Sequence, residues 1–222
     1  MDGKVGSSKI VGKGKGMSAI QFGTSGWRAV IGEEFTFANV RRAVSGIARY
    51  VAGEKPRGAR VIVGRDPRFL GETLCSLAAE ILSTYGIAPL LIAEAAPTPA
   101  ISHAVTANHA DGAINFTASH NPPEYNGIKF STPDGAPALP EATRKIEAEI
   151  AALDAGAAGP SVPKAAAEAL DPKPAYLQRL REAVDLDAIR KAGLRIPGDV
   201  SVVGANNVPA AMQHLVSARG TA

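Results

Sequence analysis

The chain has one cysteine, one tryptophan, few aromatics of any kind, and no apolar run approaching a membrane span. With Cys75 alone, no disulfide can form within the chain, which favours a reducing compartment. Cys75 lies among Leu74, Leu77 and Ala78, so its expected part is that of a small buried hydrophobe. A bilayer crossing needs about 20 consecutive apolar residues, and no stretch comes near that length. The basic start carries glycine and serine where a signal peptide needs an apolar stretch. Charge of one sign is scarce too: 24 Lys and Arg stand against 21 Asp and Glu, a net charge of +3. Much of that surplus lies ahead of Met17, where Lys4, Lys9, Lys13 and Lys15 face only Asp2. The remainder is close to neutral, which gives no basis for a nucleic-acid surface. Together these absences predict a soluble, cytoplasmic protein with neither membrane nor nucleic acid as partner.

Hydrophobic residues make up 45% of the 222 residues, enough to build the core of one large domain, or of one domain and part of another. Residues 1–17 read as a flexible leader. Its glycines and lysines do not form a phosphate loop, because no strand precedes them and the Gly-Lys-Ser/Thr ending is absent. From residue 18 to 153 helical and strand patterns alternate. Val40, Val44, Ile47 and Val51 recur at helical spacing behind Thr36, a suitable N-cap. Val61–Val63 form a β-branched run, and Leu74 to Leu82 make a second helical stripe stopped by Gly86. Leu90–Ile92, Ala113–Phe116 and Ile128–Phe130 read as further strands, with helices over 99–107 and 140–153. Such alternation predicts an α/β fold: three α/β/α layers around a mixed, mostly parallel sheet. Residues 154–175, rich in Ala, Gly and Pro, read as a linker. Helical character returns over 176–191. The final stretch holds one apolar run, Val200–Val203, so 176–222 is expected to be an incomplete second unit.

The most informative string is Thr117-Ala118-Ser119-His120-Asn121-Pro122-Pro123, placed between the strand ending at Phe116 and Tyr125-Asn126-Gly127-Ile128-Lys129-Phe130. Open α/β sheets bind ligands beyond the carboxyl ends of their strands, where this loop should lie. Ser119 between a strand end and a proline pair can be aimed. His120 can donate a hydrogen bond or a proton. Lys129 is a compact cation able to neutralise a transferring phosphoryl group, or to act as acid or base with a lowered pKa. A polar surface turn followed by an edge strand with a solvated lysine fits the same residue types.

The whole string TASHNPPEYNGIKF resembles the phosphoserine loop of the α-D-phosphohexomutases, the phosphoglucomutase/phosphomannomutase family. Phe22-Gly23-Thr24-Ser25-Gly26-Trp27-Arg28 is similar to that family's opening FGTSGxR segment. Gly64-Arg65-Asp66-Pro67-Arg68 is similar to its GRDxR turn, and Pro97-Thr98-Pro99-Ala100 to its TPA segment. The four matches stand in family order, and the implied fold is the family's first α/β/α domain. By resemblance Ser119 carries the transferable phosphoryl group and, through it, one ligand of a Mg²⁺ ion. Arg28 would contact phosphate, its alternative being a surface salt bridge. His120 and Lys129 would assist proton transfer and charge stabilisation, with Thr24 and Ser25 supporting the phosphate pocket. Arg65 and Asp66 would brace the loop as a pair. Ser119, His120, Lys129 and Arg28 are expected to converge at one end of the sheet. The reaction implied is reversible movement of phosphate between O1 and O6 of a hexose, through a hexose 1,6-bisphosphate.

The pattern also breaks. The family's DGDxDR metal loop, its GEMSGH-like sugar loop and its last phosphate-docking domain have no counterpart in the sequence. Turnover by this chain alone is therefore doubtful, and mutase domains on another chain are the partners the reading requires. The stretch Ile196-Pro197-Gly198-Asp199-Val200-Ser201-Val202-Val203-Gly204 resembles the sugar-binding domain of LacI/GalR-type repressors, but Ala205, Asn206 and Asn207 stand where a Phe and two acidic residues are usual. A non-catalytic sugar-phosphate-binding module and a LacI-like chimera are thus the alternatives.

Overall fold

In the computed structural model, which describes residues 20–23, 26–156 and 165–193, the apolar run Arg60–Arg65 becomes strand β2 at the centre of a six-stranded sheet. Val61, Ile62 and Val63 are all fully buried. A strand covered on both faces reads as a continuous run and not as an alternation. On one side β2 pairs in parallel with β3 (Ala88–Leu91), on the other with β4 (Ala113–Phe116). β5 (Tyr125–Ser131) returns antiparallel to β4, and β1 (Trp27–Val30) lies antiparallel on β5. β6 (Glu168–Ala169) extends the opposite edge in parallel with β3, giving the order β1-β5-β4-β2-β3-β6. This is the expected mixed, mostly parallel α/β sheet.

Of the first four helices, α1 (Phe37–Glu54), α2 (Gly71–Thr84) and α4 (Pro140–Asp154) cover one face, and α3 (Thr98–Ala107) covers the other. Thr36 caps α1, its side chain accepting from the Asn39 amide at 3.2 Å. Val40, Val44, Ile47 and Val51 bury the stripe that the spacing predicts, each worth about 1.5–3 kcal/mol on leaving water. Gly46 lets α4 approach closely, since a Cβ there would lie 2.4 Å from Ile150 Cγ1. Cys75 of α2 is buried, and burial pushes its thiol up to about 12, so it serves as a hydrophobe.

On the opposite face α3 packs Ile101, Ala104 and Val105 over Ile62, Leu90 and Ala113. α5 (Lys173–Ala183) leans on α3, with His103 and Tyr176 ring centroids 6.0 Å apart. α6 (Leu186–Lys191) follows after a break at Val184 and Asp185. Thus residues 165–175, read from sequence within a linker, contribute β6, and the helical stretch 176–191 divides in two. The leader and the LacI/GalR-like stretch lie outside the described residues. No helix among the described residues is long and apolar enough to cross a membrane.

Candidate functional site

The chain leaves β4 through Thr117 and Ala118, both buried, and turns at Ser119. Thr117 continues the ladder by donating its amide to the Gly127 carbonyl at 3.0 Å. Ser119 has φ +58°, in the left-handed region, which costs a residue with a side chain roughly 1–2 kcal/mol. Two bonds hold it there. Its amide donates to Thr117 Oγ1 at 2.9 Å, and its carbonyl accepts from Arg68 Nη2 at 3.0 Å. Ser119 is half-buried, and its own hydroxyl bonds to nothing among the described residues.

Behind the loop lies the Gly64–Arg68 turn. Asp66 is 4% exposed. Its Oδ2 accepts from Thr117 Oγ1 at 2.6 Å and from Arg68 Nε at 3.3 Å, and its Oδ1 from the Arg68 amide at 3.0 Å. Arg68 in turn donates to the carbonyls of Pro122 (2.8 Å), Tyr125 (2.9 Å) and Asn121 (2.6 Å), besides Ser119. The brace expected of Arg65 and Asp66 is therefore made by Arg68 and Asp66. Arg65 turns the other way, to Glu72 at 2.8 Å and the Ala93 carbonyl at 3.2 Å.

Arg28 stands on β1 opposite Gly127 of β5, and Lys129 two residues further on faces Asn115 of β4. Strand alternation puts Arg28 and Lys129 on the same face of the sheet. Gly127 is required between its neighbours: a Cβ there would sit 2.7 Å from both the Thr117 and Trp27 carbonyl oxygens, and 3.0 Å from Arg28 Cγ. Arg28 Nη1 donates to Asn121 Oδ1 at 2.9 Å, which ties β1 to the serine loop, while its buried Nε has no partner. Lys129 forms no ion pair or hydrogen bond among the described residues. Burial lowers its pKa first and the Arg28 charge second, with Asp66 opposing. A cleft beside Lys129 is lined by Asn115, Thr98, Ser102 and Ser131. Asn115 donates to Thr98 Oγ1 at 3.0 Å and leaves its buried Oδ1 unpaired. Two neighbouring cations, one without an ion pair among the described residues and one with an unused donor, suit an anionic ligand.

The structure therefore gathers Arg28, Lys129 and the Ser119 loop. His120 follows Ser119 in an exposed position, with no orienting contact among the described residues. Thr24 and Ser25 lie outside the described residues. On either side of them, the Gly26 amide donates to the Gly23 carbonyl at 3.3 Å. For Mg²⁺ the donor set does not fit: among the described residues no three His, Cys, Asp or Glu side chains gather, and both Asp66 oxygens are taken. Ser119, the one residue assigned to metal from sequence, cannot hold the ion without donors from elsewhere.

Residues 19–157 match the family model for the phosphoglucomutase/phosphomannomutase, alpha/beta/alpha domain I. The chain belongs to that family. Among relatives of this mutase domain, phosphoglucosamine mutase of Corynebacterium efficiens is 32% identical over 207 residues, covering 90% of this chain and 46% of that protein. A solved structure from Thermus thermophilus, described provisionally as a phosphomannomutase, is 35% identical with a TM-score of 0.69, covering 78% of this chain and 38% of that one. A phosphoglucomutase/phosphomannomutase family protein from Burkholderia thailandensis is 26% identical with a TM-score of 0.62, covering 74% and 36%. The chain thus spans less than half the length of these relatives. Nothing in the comparisons supports the LacI/GalR-like reading of residues 196–207. Sequence reasoning quoted Arg68 within its motif without assigning it a part, and passed over Thr117.

Proposed function

We propose that this chain supplies the phosphoserine of a hexose-phosphate mutase. The observation that carries the proposal is the hydroxyl of Ser119, unbonded among the described residues and held on a left-handed turn in the loop that Asn121 ties to Arg28, the charged neighbour of Lys129. Ser119 Oγ attacks the phosphorus of a hexose 1,6-bisphosphate. The P–O bond to the sugar breaks, the serine proton departs, and the leaving sugar oxygen gains a proton. Phosphoserine and one hexose monophosphate result; phosphoserine then returns its group to the free hydroxyl of the isomeric monophosphate, which re-forms the bisphosphate and completes the isomerisation. Phosphoryl transfer of this kind depends mainly on alignment and charge neutralisation. Lys129 and Arg28 neutralise charge, and His120 or Lys129 moves the proton. Burial and the Arg28 charge make the Lys129 ammonium a readier donor than an exposed lysine.

Thr24 and Ser25 complete the phosphate pocket in this reading, and Mg²⁺ would take its further ligands from other mutase domains, on this or another polypeptide. The 222 residues alone are accordingly expected to show isomerisation orders of magnitude below that of a longer relative. The substrate class is hexose phosphate. The test is intact-mass and phosphosite mapping after incubation with glucose 1,6-bisphosphate. Phosphate should appear on Ser119, and Ser119→Ala should abolish it. Labelling that survives in Ser119→Ala removes the serine from this role, and bisphosphate binding with no labelling favours a non-catalytic sugar-phosphate module.

A further inference from the structure

Every N–H of the Arg68 guanidinium is engaged by the protein. Nη1 serves Pro122 and Tyr125, Nη2 serves Ser119 and Asn121, and Nε serves Asp66. A guanidinium has five such donors, so no donor is left for a ligand phosphate. Four of them converge on carbonyls of the single stretch from Ser119 to Tyr125. Carbonyl oxygens gathered at one point repel each other unless a cation lies among them, and a planar fork can meet four at once. An ammonium, with three donors at one point, cannot.

Asp66 commands both ends of this arrangement. One of its oxygens accepts from Arg68 Nε, which sets the guanidinium whose Nη2 holds the Ser119 carbonyl. The same oxygen accepts from the Thr117 hydroxyl, which receives the Ser119 amide. Both backbone polar groups of Ser119 are thus fixed through one buried carboxylate, in a conformation that a serine does not adopt unaided. Leu70, two residues beyond Arg68, also has a positive φ of 67°, so the clamp sits in a turn that is itself constrained.

We propose that Arg68 is the positioning residue of this site: it imposes the left-handed turn at Ser119 and so aims the hydroxyl, without touching the sugar phosphate. The proposal rests on the phosphoserine reading for its functional arm. Because Arg68 orders the nucleophile and not the ligand, its loss should appear in the rate of transfer and not in donor affinity.

The test is the phosphorylation rate of Ser119 by glucose 1,6-bisphosphate in the full chain, measured against donor concentration, with amide hydrogen exchange at Ser119, Asn121 and Tyr125. Arg68→Ala should slow labelling about 100-fold, the scale of a misplaced reacting group, with half-saturating donor within about twofold of the unmodified chain. Added guanidinium ion should recover part of the rate, and Arg68→Lys should recover little. Exchange should rise in the loop while β2 and β4 stay protected. Labelling of Arg68→Ala at the unmodified rate overturns the proposal. So does a loss of protection spread evenly through the sheet with no guanidinium rescue. If Arg68→Ala does not fold, Arg68→Lys carries the same measurements. If the unmodified chain is never labelled, the phosphoserine reading fails by itself. The clamp is then judged on exchange in Arg68→Lys: a loop that opens alone upholds it, and an unchanged loop overturns it.

Discussion

Replacing Thr117 by valine deletes one oxygen and keeps the shape of a side chain that is 2% exposed. That oxygen donates to Asp66 Oδ2 at 2.6 Å and accepts the Ser119 amide at 2.9 Å. A hydrogen bond to a charged group contributes about 1.5–3 kcal/mol, and a neutral one about 1 kcal/mol. Valine gains roughly 0.8 kcal/mol from the methyl that takes the hydroxyl's place. The net loss should be about 2–3 kcal/mol, with no cavity to confuse it. The control is Thr117→Ser, which keeps both bonds and gives up a buried methyl, for roughly 0.8 kcal/mol. Urea denaturation of the three proteins measures both: the valine midpoint should fall by roughly 0.7–3 M at unchanged slope, given slopes of about 1–3 kcal/mol/M. Valine and serine variants of equal stability would refute the claim that the hydroxyl anchors the turn. Asp66 would then hold the loop through Arg68 alone.

Lys129→Met should raise stability at neutral pH, because the ammonium is half-buried beside Arg28 and has no ion pair among the described residues. Its pKa is lower folded than unfolded, so the folded chain binds fewer protons between the two values. The unmodified chain therefore gains stability as pH rises towards 10.5, and the advantage of the methionine variant should shrink over that window. Urea titrations at neutral and alkaline pH check this, and a pH-independent difference would refute it. Gly127→Ala should cost at least about 2 kcal/mol, since its Cβ would press on two main-chain oxygens of flanking strands that cannot step aside. A thermal midpoint equal to that of the parent would refute the close approach.

How far the sequence could be read depended on where each element finds its partners. The α1 stripe, its Thr36 cap and the Val61–Val63 run declare themselves locally, because each is set by its own spacing and burial. β1 does not. Trp27–Val30 is a four-residue strand only because β5 lies beside it, and its residues read first as part of a glycine-rich motif. β6 consists of two exposed residues joined to β3 through backbone alone, which leaves no side-chain pattern to recognise. At the site, Ser119, Lys129 and Arg28 were legible from the strings that contain them. The bracing part of Arg68 was not, because its acceptors lie 51 to 57 residues further along the chain. Backbone carbonyls carry no sequence identity, so an arginine that serves them leaves no complementary residue to find.

The antiparallel seam between β1 and β5 has a consequence for synthesis. Helices and parallel strands from β2 to β4 can associate as the chain emerges from the ribosome, but β1, made earlier, finds its only described strand partner in β5. Arg28 must likewise wait for Asn121, 93 residues later. Closing so long a separation is slow compared with local contacts, and an unpaired strand exposed meanwhile invites association with other nascent chains. A substitution that weakens this seam should therefore lower the yield of soluble protein during translation more than it shortens the life of the finished molecule. Its damage would fall on birth and not on endurance.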